Sequence, residues 1–548
     1  MDFFTLLGVS LGGLTLYLLF NNIITVALGI VTLFNFIHYA HIFQLNSYST
    51  TAQLKWYGKN ITNLLFRQCF FLLFLVIVYF YTFYFAQPVY ISALYYAILS
   101  VLPLTIASLF VSFPRKAKKR FVFTPRVIRM LASSAIIIAA LFYYIWSIYY
   151  YYNGFMLFVA IFIFYSFNPF IIIIANFVNK PIEWLVRRYY INDAKKILES
   201  HKNLVVIAIT GSYGKTSVKY YLSELLSAKY NTLMTPESYN TPMGVVKTIR
   251  TQLSGAHEIF VCEMGANRLH DIKELCEIVQ PTHSILTAIG EQHLETFKSL
   301  DNIITTKFEI ADAIVNTGGT LFLNYDNEHI RNKQIANKNV ITYGLENSKS
   351  DYYASDIKVS VKGTSFNLHA KGEVQRFETA LIGEHNVQNI VGGMSAAHFM
   401  GVSLNELYLP VKRLKSVPHR MELIDGGERV IIDDSFNSNP NGAKAALGVL
   451  KMLEGTRFLV TPGMVELGSR EKQLNKELGE NAAECCDYAV LVGEKQAPPI
   501  IEGLKEKGFP QDKIHIAKSL KEAMAHIEQI PTTGKKIILL ENDLPDNY

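Results

Sequence analysis

The sequence predicts a multi-domain chain, with an N-terminal α-helical transmembrane bundle followed by two α/β domains. Three observations predict it. Composition changes sharply near residue 180: before Lys180 the only acidic residue is Asp2 and Phe, Tyr, Ile and Leu dominate, whereas the remainder carries the mixed charge of an ordinary α/β protein. From Asn203 onward strands and helices alternate, as in a doubly wound parallel sheet. A Gly-rich turn, Gly211-Ser-Tyr-Gly-Lys-Thr-Ser217, follows the apolar run Leu204 to Ile207 and opens a helix-compatible segment. At 548 residues the chain exceeds what one core can hold.

The apolar runs lie at 3–20, 23–43, 68–86, 90–113, 128–149 and 154–178, each near the ~20 residues that cross a bilayer core. Only Asn21-Asn22 separates the first two, so the chain has five or six spans. Lys55, Lys59 and Arg67 flank the second and third runs, and Arg115, Lys116, Lys118, Lys119, Arg120, Arg126 and Arg129 crowd the approach to the fifth. With six spans every basic loop falls on the side of the large C-terminal region, which makes that side the cytoplasm. The expected location is therefore the cell membrane, multi-pass, with the catalytic domains in the cytoplasm. The net charge of +6 comes from this first part, so it points to a membrane and to no nucleic acid. No ionisable residue lies deep in a span apart from His38 and His41 near the end of the second, which argues against transport.

The expected boundaries are 1–180 for the membrane region, 181–200 for an amphipathic connecting helix, 201–408 for a central ATP-binding domain and 409–548 for a Rossmann-like C-terminal domain. The connecting helix has two readings: packed on the soluble part, or lying in the interface with Trp184 and Tyr189 at headgroup level. The five cysteines show no C-x-x-C pair or metal-ligand spacing, and vicinal Cys485 and Cys486 read as helix core in a reduced compartment.

The Gly-rich turn carries the chemistry. Gly211 and Gly214 let several N–H groups face one anion, Lys215 neutralises the β/γ-phosphates, and the Thr216 hydroxyl is a Mg²⁺ ligand. Ile209 stands where the commoner loop has its first glycine. Glu263 ends the apolar run from Ile259, at the strand end where ligands of such sheets collect. Further segments follow: Ser284 to Ile289 as a strand, a helix starting at Thr305, and a strand Val430 to Ile432 with Asp434 just after it. Taken singly, His293 reads as a loop histidine, Lys307 as a solvated helix charge, Arg420 and Asp434 as a surface pair, and Asn437 and Asn439 beside Pro440 as turn residues.

Their joint order says more. The stretch from about 203 to 540 resembles the Mur ligases, most closely the branch that adds D-alanyl-D-alanine. The resemblance runs through Asn240-Thr-Pro-Met-Gly244, Cys262-Glu-Met-Gly-Ala-Asn267, Gly290-Glu-Gln-His-Leu-Glu295, Lys307-Phe-Glu-Ile310 and Leu323-Asn-Tyr-Asp326. It continues through Gly383-Glu-His-Asn-Val-Gln-Asn389, His419-Arg-Met421, Asp433-Asp-Ser-Phe-Asn-Ser-Asn-Pro440 and Gly463-Met-Val-Glu-Leu-Gly468. It implies ATP-dependent amide formation through an acyl phosphate, with ATP and Mg²⁺ as cofactors. Gly211, Ser212, Tyr213, Gly214, Lys215, Thr216 and Ser217 would bind the phosphates. Thr216 and Glu263 would hold one Mg²⁺. His293 and Lys307 would hold a second, Lys307 as a carbamate because an ammonium cannot ligate a hard cation. Asn324 and Asn389 would lie near the adenosine, Arg420 would reach the γ-phosphate, and Asp434 and Asn437 would complete the catalytic set with Lys215.

Three features depart from the family pattern. Membrane spans stand where the family's UDP-binding domain comes, His419 replaces the glycine before the arginine, and the Lys-Gly-Ser ending is missing. The expected function is a membrane-anchored ligase joining an amino acid or dipeptide to a cell-wall precursor, UDP-linked or lipid-linked. Its alternatives are a poly-γ-glutamate or folylpolyglutamate-type ligase and an ATP-switched membrane scaffold.

Overall fold

The computed structural model describes residues 36–62, 64, 120–149 and 155–542, apart from 336–338, 346–347, 437 and 533. The expected spans 3–20, 68–86 and 90–113 lie outside the described residues, as does most of 23–43. Two compact units are present, one ending at Arg187 and one covering Arg188–Leu544.

In the first unit, helices Pro125–Tyr149 and Phe155–Ser200 contain the fifth and sixth expected spans. Phe36, Ala40 and Phe43 pack against Met130, Ile171, Ile172 and Ala175. Polar links run between the same pieces: Arg129 to Glu183 at 2.7 Å, Asn179 to Ser133 at 2.9 Å, and the Tyr57 hydroxyl to the Pro169 carbonyl at 2.7 Å. Among the described residues a single stretch, Pro169–Ser200, is long and apolar enough to cross a membrane. A bundle of spans is thus not what the described residues establish. The connecting helix is also not a separate element: it continues the preceding apolar helix without a break, although Pro169 and Pro181 lie inside. Its last turns, with Tyr190, Ile191, Ala194, Ile197 and Leu198, pack on the soluble core, while Trp184 and Tyr189 are exposed.

The second unit holds two sheets. The larger uses β1 (Val205–Thr210), β2 (Thr232–Met234), β3 (Ile259–Glu263), β4 (His283–Leu286), β5 (Thr320–Asn324), β6 (Val340–Leu345), β7 (Tyr352–Ser360), β8 (Gly363–Ala370) and β9 (Glu373–Thr379). They stand in the order β2-β3-β1-β4-β5-β6-β7-β8-β9, parallel as far as β7 and antiparallel from β7 to β9. The expectation of a purely parallel sheet is corrected here: β7 to β9 alternate buried and exposed residues, as a half-covered antiparallel extension does. One core packs Val218, Leu222 and Leu225 with Ile390, Val391 and Met394 against one face, and another packs Val245, Ile249, Ile272 and Ile310 against the other. The helix expected from Thr305 runs Leu300–Thr317, because Ser299 accepts from the Asn302 N–H and caps it earlier.

The smaller sheet uses β10 (Glu422–Asp425), β11 (Arg429–Asp434), β12 (Thr456–Thr461), β13 (Tyr488–Val492), β14 (Ile514–Ala517) and β15 (Lys536–Glu541), ordered β10-β11-β15-β12-β13-β14. All neighbours are parallel except β10 and β11. The last strand thus enters the middle of its sheet, opposing Asp434 with Glu541. Asp434 ends β11 and does not follow it. Cys485 and Cys486 sit just beyond helix Glu471–Ala483, with Cys486 in the core, so the helix-core reading is off by a turn.

Candidate functional site

β1 ends at Thr210, whose hydroxyl donates to the Met264 carbonyl at 2.9 Å and so fixes the start of the Gly-rich turn against β3. Gly214 takes a left-handed backbone, φ 79°, and precedes helix Lys215–Leu226 without any side-chain cap. The first N–H groups of that helix are left to an anion. Lys215 Nζ folds back on the Ser212 carbonyl at 3.0 Å, and burial pushes its pKa down to about 8 although Glu263 opposes the shift. Ser212 Oγ bonds both the carbonyl and the N–H of Gly290, at 3.0 and 3.1 Å, which ties the loop after β4 to the turn. Tyr213 packs on Gly290 so closely that a Cβ there would lie 2.5 Å from its ring.

The β1–β3 register pairs Ile209 with Glu263 and delivers the carboxylate to the turn. Thr216 Oγ1 donates to Glu263 Oε1 at 3.1 Å, and Asn240 Nδ2 donates to the same oxygen at 3.0 Å. Burial would raise the Glu263 pKa, but Lys219 and Lys215 outweigh it and hold the carboxyl below its ordinary range. Lys219 was not expected. It is fully enclosed, lies 3.1 Å from Glu263 Oε2 and also donates to the Glu237 carbonyl. Its signal in the sequence is spacing: four residues after Lys215 on a helix, it shares that lysine's face.

Arg420 comes from the C-terminal domain. Its Nη2 donates to Thr216 Oγ1 at 3.3 Å, and its guanidinium lies 4.6 Å over the Phe436 ring. His419 takes a left-handed backbone, φ 60°, and its Nδ1 bonds Asp433 Oδ2 at 2.8 Å. Asp434 Oδ1 accepts from the Met421 N–H at 3.1 Å, and burial raises its pKa to about 6 against the pull of Arg420. Beside it, fully buried Glu541 is pushed well above the ordinary carboxyl range, first by burial and then by Asp434. No motif pointed to Glu541; only the strand order brings it there.

Arg420 and Asp434 border a cleft of about 330 Å³ whose lining also includes Tyr213, Gly214, Ser217, Asn324 and Asn389. Asn324 is committed in part, its Nδ2 donating to the Thr287 carbonyl at 2.7 Å. Asn389 Oδ1 abuts Gly214. His385, also unforeseen, lines the same cleft and is kept neutral by burial, its pKa lowered to about 4. Asn439 lines it too while capping helix Pro440–Met452 through the Gly442 N–H at 2.9 Å. Asn437 lies outside the described residues.

The expected second cation pair, His293 and Lys307, shares no hydrogen bond or ion pair. Lys307 is enclosed, and burial followed by Lys215 drives its pKa well down against the pull of Asp271, Glu263 and Glu309. His293 makes no hydrogen bond or ion pair with Thr216, Glu263 or Lys307; its Nδ1 meets Glu466 Oε2 of the C-terminal domain at 2.7 Å. Among the described residues the histidine–carboxylate group close enough to share a metal is His419, Glu422 and Asp433, which no motif suggested. The donors at the first site do suit Mg²⁺. Thr216 and Glu263 offer adjacent buried oxygens, and Glu263 Oε2 lies 3.1 Å from Lys219.

Family models described as the Mur ligase middle domain and the Mur ligase, glutamate ligase domain match residues 209–397 and 419–540, together more than half of the chain. The UDP-N-acetylmuramoyl-tripeptide–D-alanyl-D-alanine ligase of Escherichia coli is 32% identical over 53% of this chain and 65% of its own length. The Buchnera aphidicola ligase of the same description is 30% identical over 50% of this chain and 61% of its own length. The chain thus spans less than two thirds of these relatives. A crystal structure of MurF from Acinetobacter baumannii is 27% identical, with TM-score 0.59 over 66% of this chain and 78% of that one. With matching models for both α/β domains and a likeness in sequence and fold to these proteins, the chain belongs to the Mur ligase family.

Proposed function

We propose that this chain is an ATP- and Mg²⁺-dependent ligase that joins D-alanyl-D-alanine to a muramoyl tripeptide, as its relatives are described as doing. The observation that carries the reading is the convergence of Lys215, the Thr216–Glu263 pair and the C-terminal domain's Arg420, which also lines the neighbouring cleft. An acceptor carboxylate attacks the γ-phosphorus, ADP leaves, and the amine then displaces phosphate from the acyl phosphate to give the amide.

Each residue has a task in that sequence. Lys215 and the open N–H groups of its helix cancel phosphate charge, so that two anions can approach. Arg420 stabilises charge that develops on the transferring phosphoryl group. Thr216 and Glu263 would hold Mg²⁺, which screens the β/γ-phosphates and polarises the γ-phosphorus. Burial drives the Lys307 pKa well down, toward the free amine that reaction with CO₂ requires, and with His293 the lysine would serve a second cation. Asn324, Asn389 and the neutral His385 are suited to the adenosine end of the cleft, and Asp434 to its far wall.

We further place the N-terminal region in the cell membrane with domains 201–408 and 409–548 on the cytoplasmic side. The support is the charge asymmetry of the sequence and the apolar Pro169–Ser200 stretch. Retention of the protein in carbonate-washed membranes would support this placement, and its full release would reject it.

The deciding assay is phosphate release with UDP-linked or lipid-linked muramoyl tripeptide crossed with D-alanyl-D-alanine, glutamate or no amine, with products weighed by mass spectrometry. Release needing both substrates and lost in Lys215→Ala is expected. Glutamate-stimulated release would favour the polyglutamate-type reading instead. Nucleotide binding without amine-dependent release would leave the scaffold.

A further inference from the structure

Two non-glycine residues that meet between the two α/β domains both hold left-handed backbones: His293, φ 54°, after β4, and Glu466, φ 63°, after β12. Such conformations are strained and persist where their surroundings fix them. Here the two side chains meet at 2.7 Å, and Arg470 Nη1 to Glu291 Oε2 at 2.5 Å braces the same pair of loops. Gly290 is bonded to Ser212 of the phosphate turn, so His293 stands three residues from that anchor.

The chemistry of the contact is directional. A carboxylate oxygen accepts, so Nδ1 carries the proton, and in the neutral ring Nε2 is the atom left with the lone pair. Among the described residues, Nδ1 is the ring atom given a partner. A histidine that ligates a metal commonly donates its other ring N–H to a carboxylate in this manner.

We propose that Glu466 is a positioning residue for the second cation: supplied by the C-terminal domain, it sets the tautomer of the middle domain's His293, so that docking of the two domains completes the cation site. The proposal rests on the reading of His293 as a cation ligand. Coupling of this kind is reciprocal, so cation binding also favours the docked arrangement.

The test is Mn²⁺ binding to the full-length protein with ADP present, followed by electron paramagnetic resonance, which needs no turnover. One class of bound Mn²⁺ should vanish in His293→Ala. Glu466→Ala should weaken that same class about 10–100-fold and leave the other class in place. Glu466→Gln, whose amide oxygen still accepts from Nδ1–H, should restore part of the loss. Arg470→Ala breaks the neighbouring pair without touching the tautomer and should shift Mn²⁺ binding far less. Unchanged Mn²⁺ binding in Glu466→Ala, or equal losses in Glu466→Ala and Arg470→Ala, would overturn the positioning role. Unchanged binding in His293→Ala would instead remove the assignment of His293, and the proposal with it.

Discussion

Lys219 has its whole side chain enclosed and two partners, Glu263 and the Glu237 carbonyl. Removing one member of a buried ion pair strands the other, at a typical cost of about 3–5 kcal/mol. Lys219→Ala should therefore lose stability on that scale in urea titrations, whereas Lys219→Met with Glu263→Gln should recover most of it. Equal losses in the single and double variants would mean that the pair is not what the lysine supports. The sign with pH follows from the depressed Glu263 pKa. Its contribution is in place above the ordinary carboxylate pKa of about 4.3 and is lost as pH falls through the lower folded value. Asp434 behaves oppositely. Raised from 3.8 to about 6, it binds its proton more tightly in the folded protein, so stability falls as pH climbs through that window. Asp434→Asn keeps an oxygen for the Met421 N–H and removes that cost. Melting curves should show the variant gaining on wild type above pH 6 and matching it near pH 4, and a pH-independent offset would count against burial as the cause.

At the scale of elements, the turn before helix Lys215–Leu226 depends on Gly214. Its φ of 79° favours glycine, and a Cβ would press to 2.5 Å from Asn389 Oδ1. Gly214→Ala should cost about 1–3 kcal/mol of stability and weaken ADP more than that, because the open N–H groups would lose their aim. Calorimetry showing ADP affinity unchanged would contradict the role given to this helix end. The turn was legible in the sequence because glycine spacing, a preceding β-branched run and a following helix all report the same local geometry. Glu263 was legible for a similar reason, as the last residue of a buried run. Lys219 and Glu541 were not, since each matters through an element distant in sequence: Lys219 through β3, and Glu541 through the insertion of β15 beside β11. The strands β7 to β9 carried a readable period-two pattern, but the repeating strand–helix alternation before them masked the change to antiparallel pairing.

At the scale of the whole α/β unit, the polar contacts between the two domains among the described residues include Arg420 to Thr216, His293 to Glu466 and Arg470 to Glu291, and Ile382 packs into the C-terminal core. The His293–Glu466 and Arg470–Glu291 pairs are partly exposed, and pairs of that kind contribute little to stability in salt. Arg420 differs, since it reaches the buried hydroxyl that also bonds Glu263. A guanidinium can stack on Phe436 and still direct an N–H at Thr216, whereas an ammonium has no plane to stack and one point of charge. Arg420→Lys should therefore leave nucleotide binding near wild type, because Lys215 and the helix end remain, and depress kcat by about a thousandfold, the lower range for arginines that stabilise a transferring phosphoryl group. Steady-state kinetics separates the possibilities. A fall in kcat with little change in KM for ATP places Arg420 on the transition state, while a raised KM with kcat intact would make it a ground-state clamp that holds the domains together.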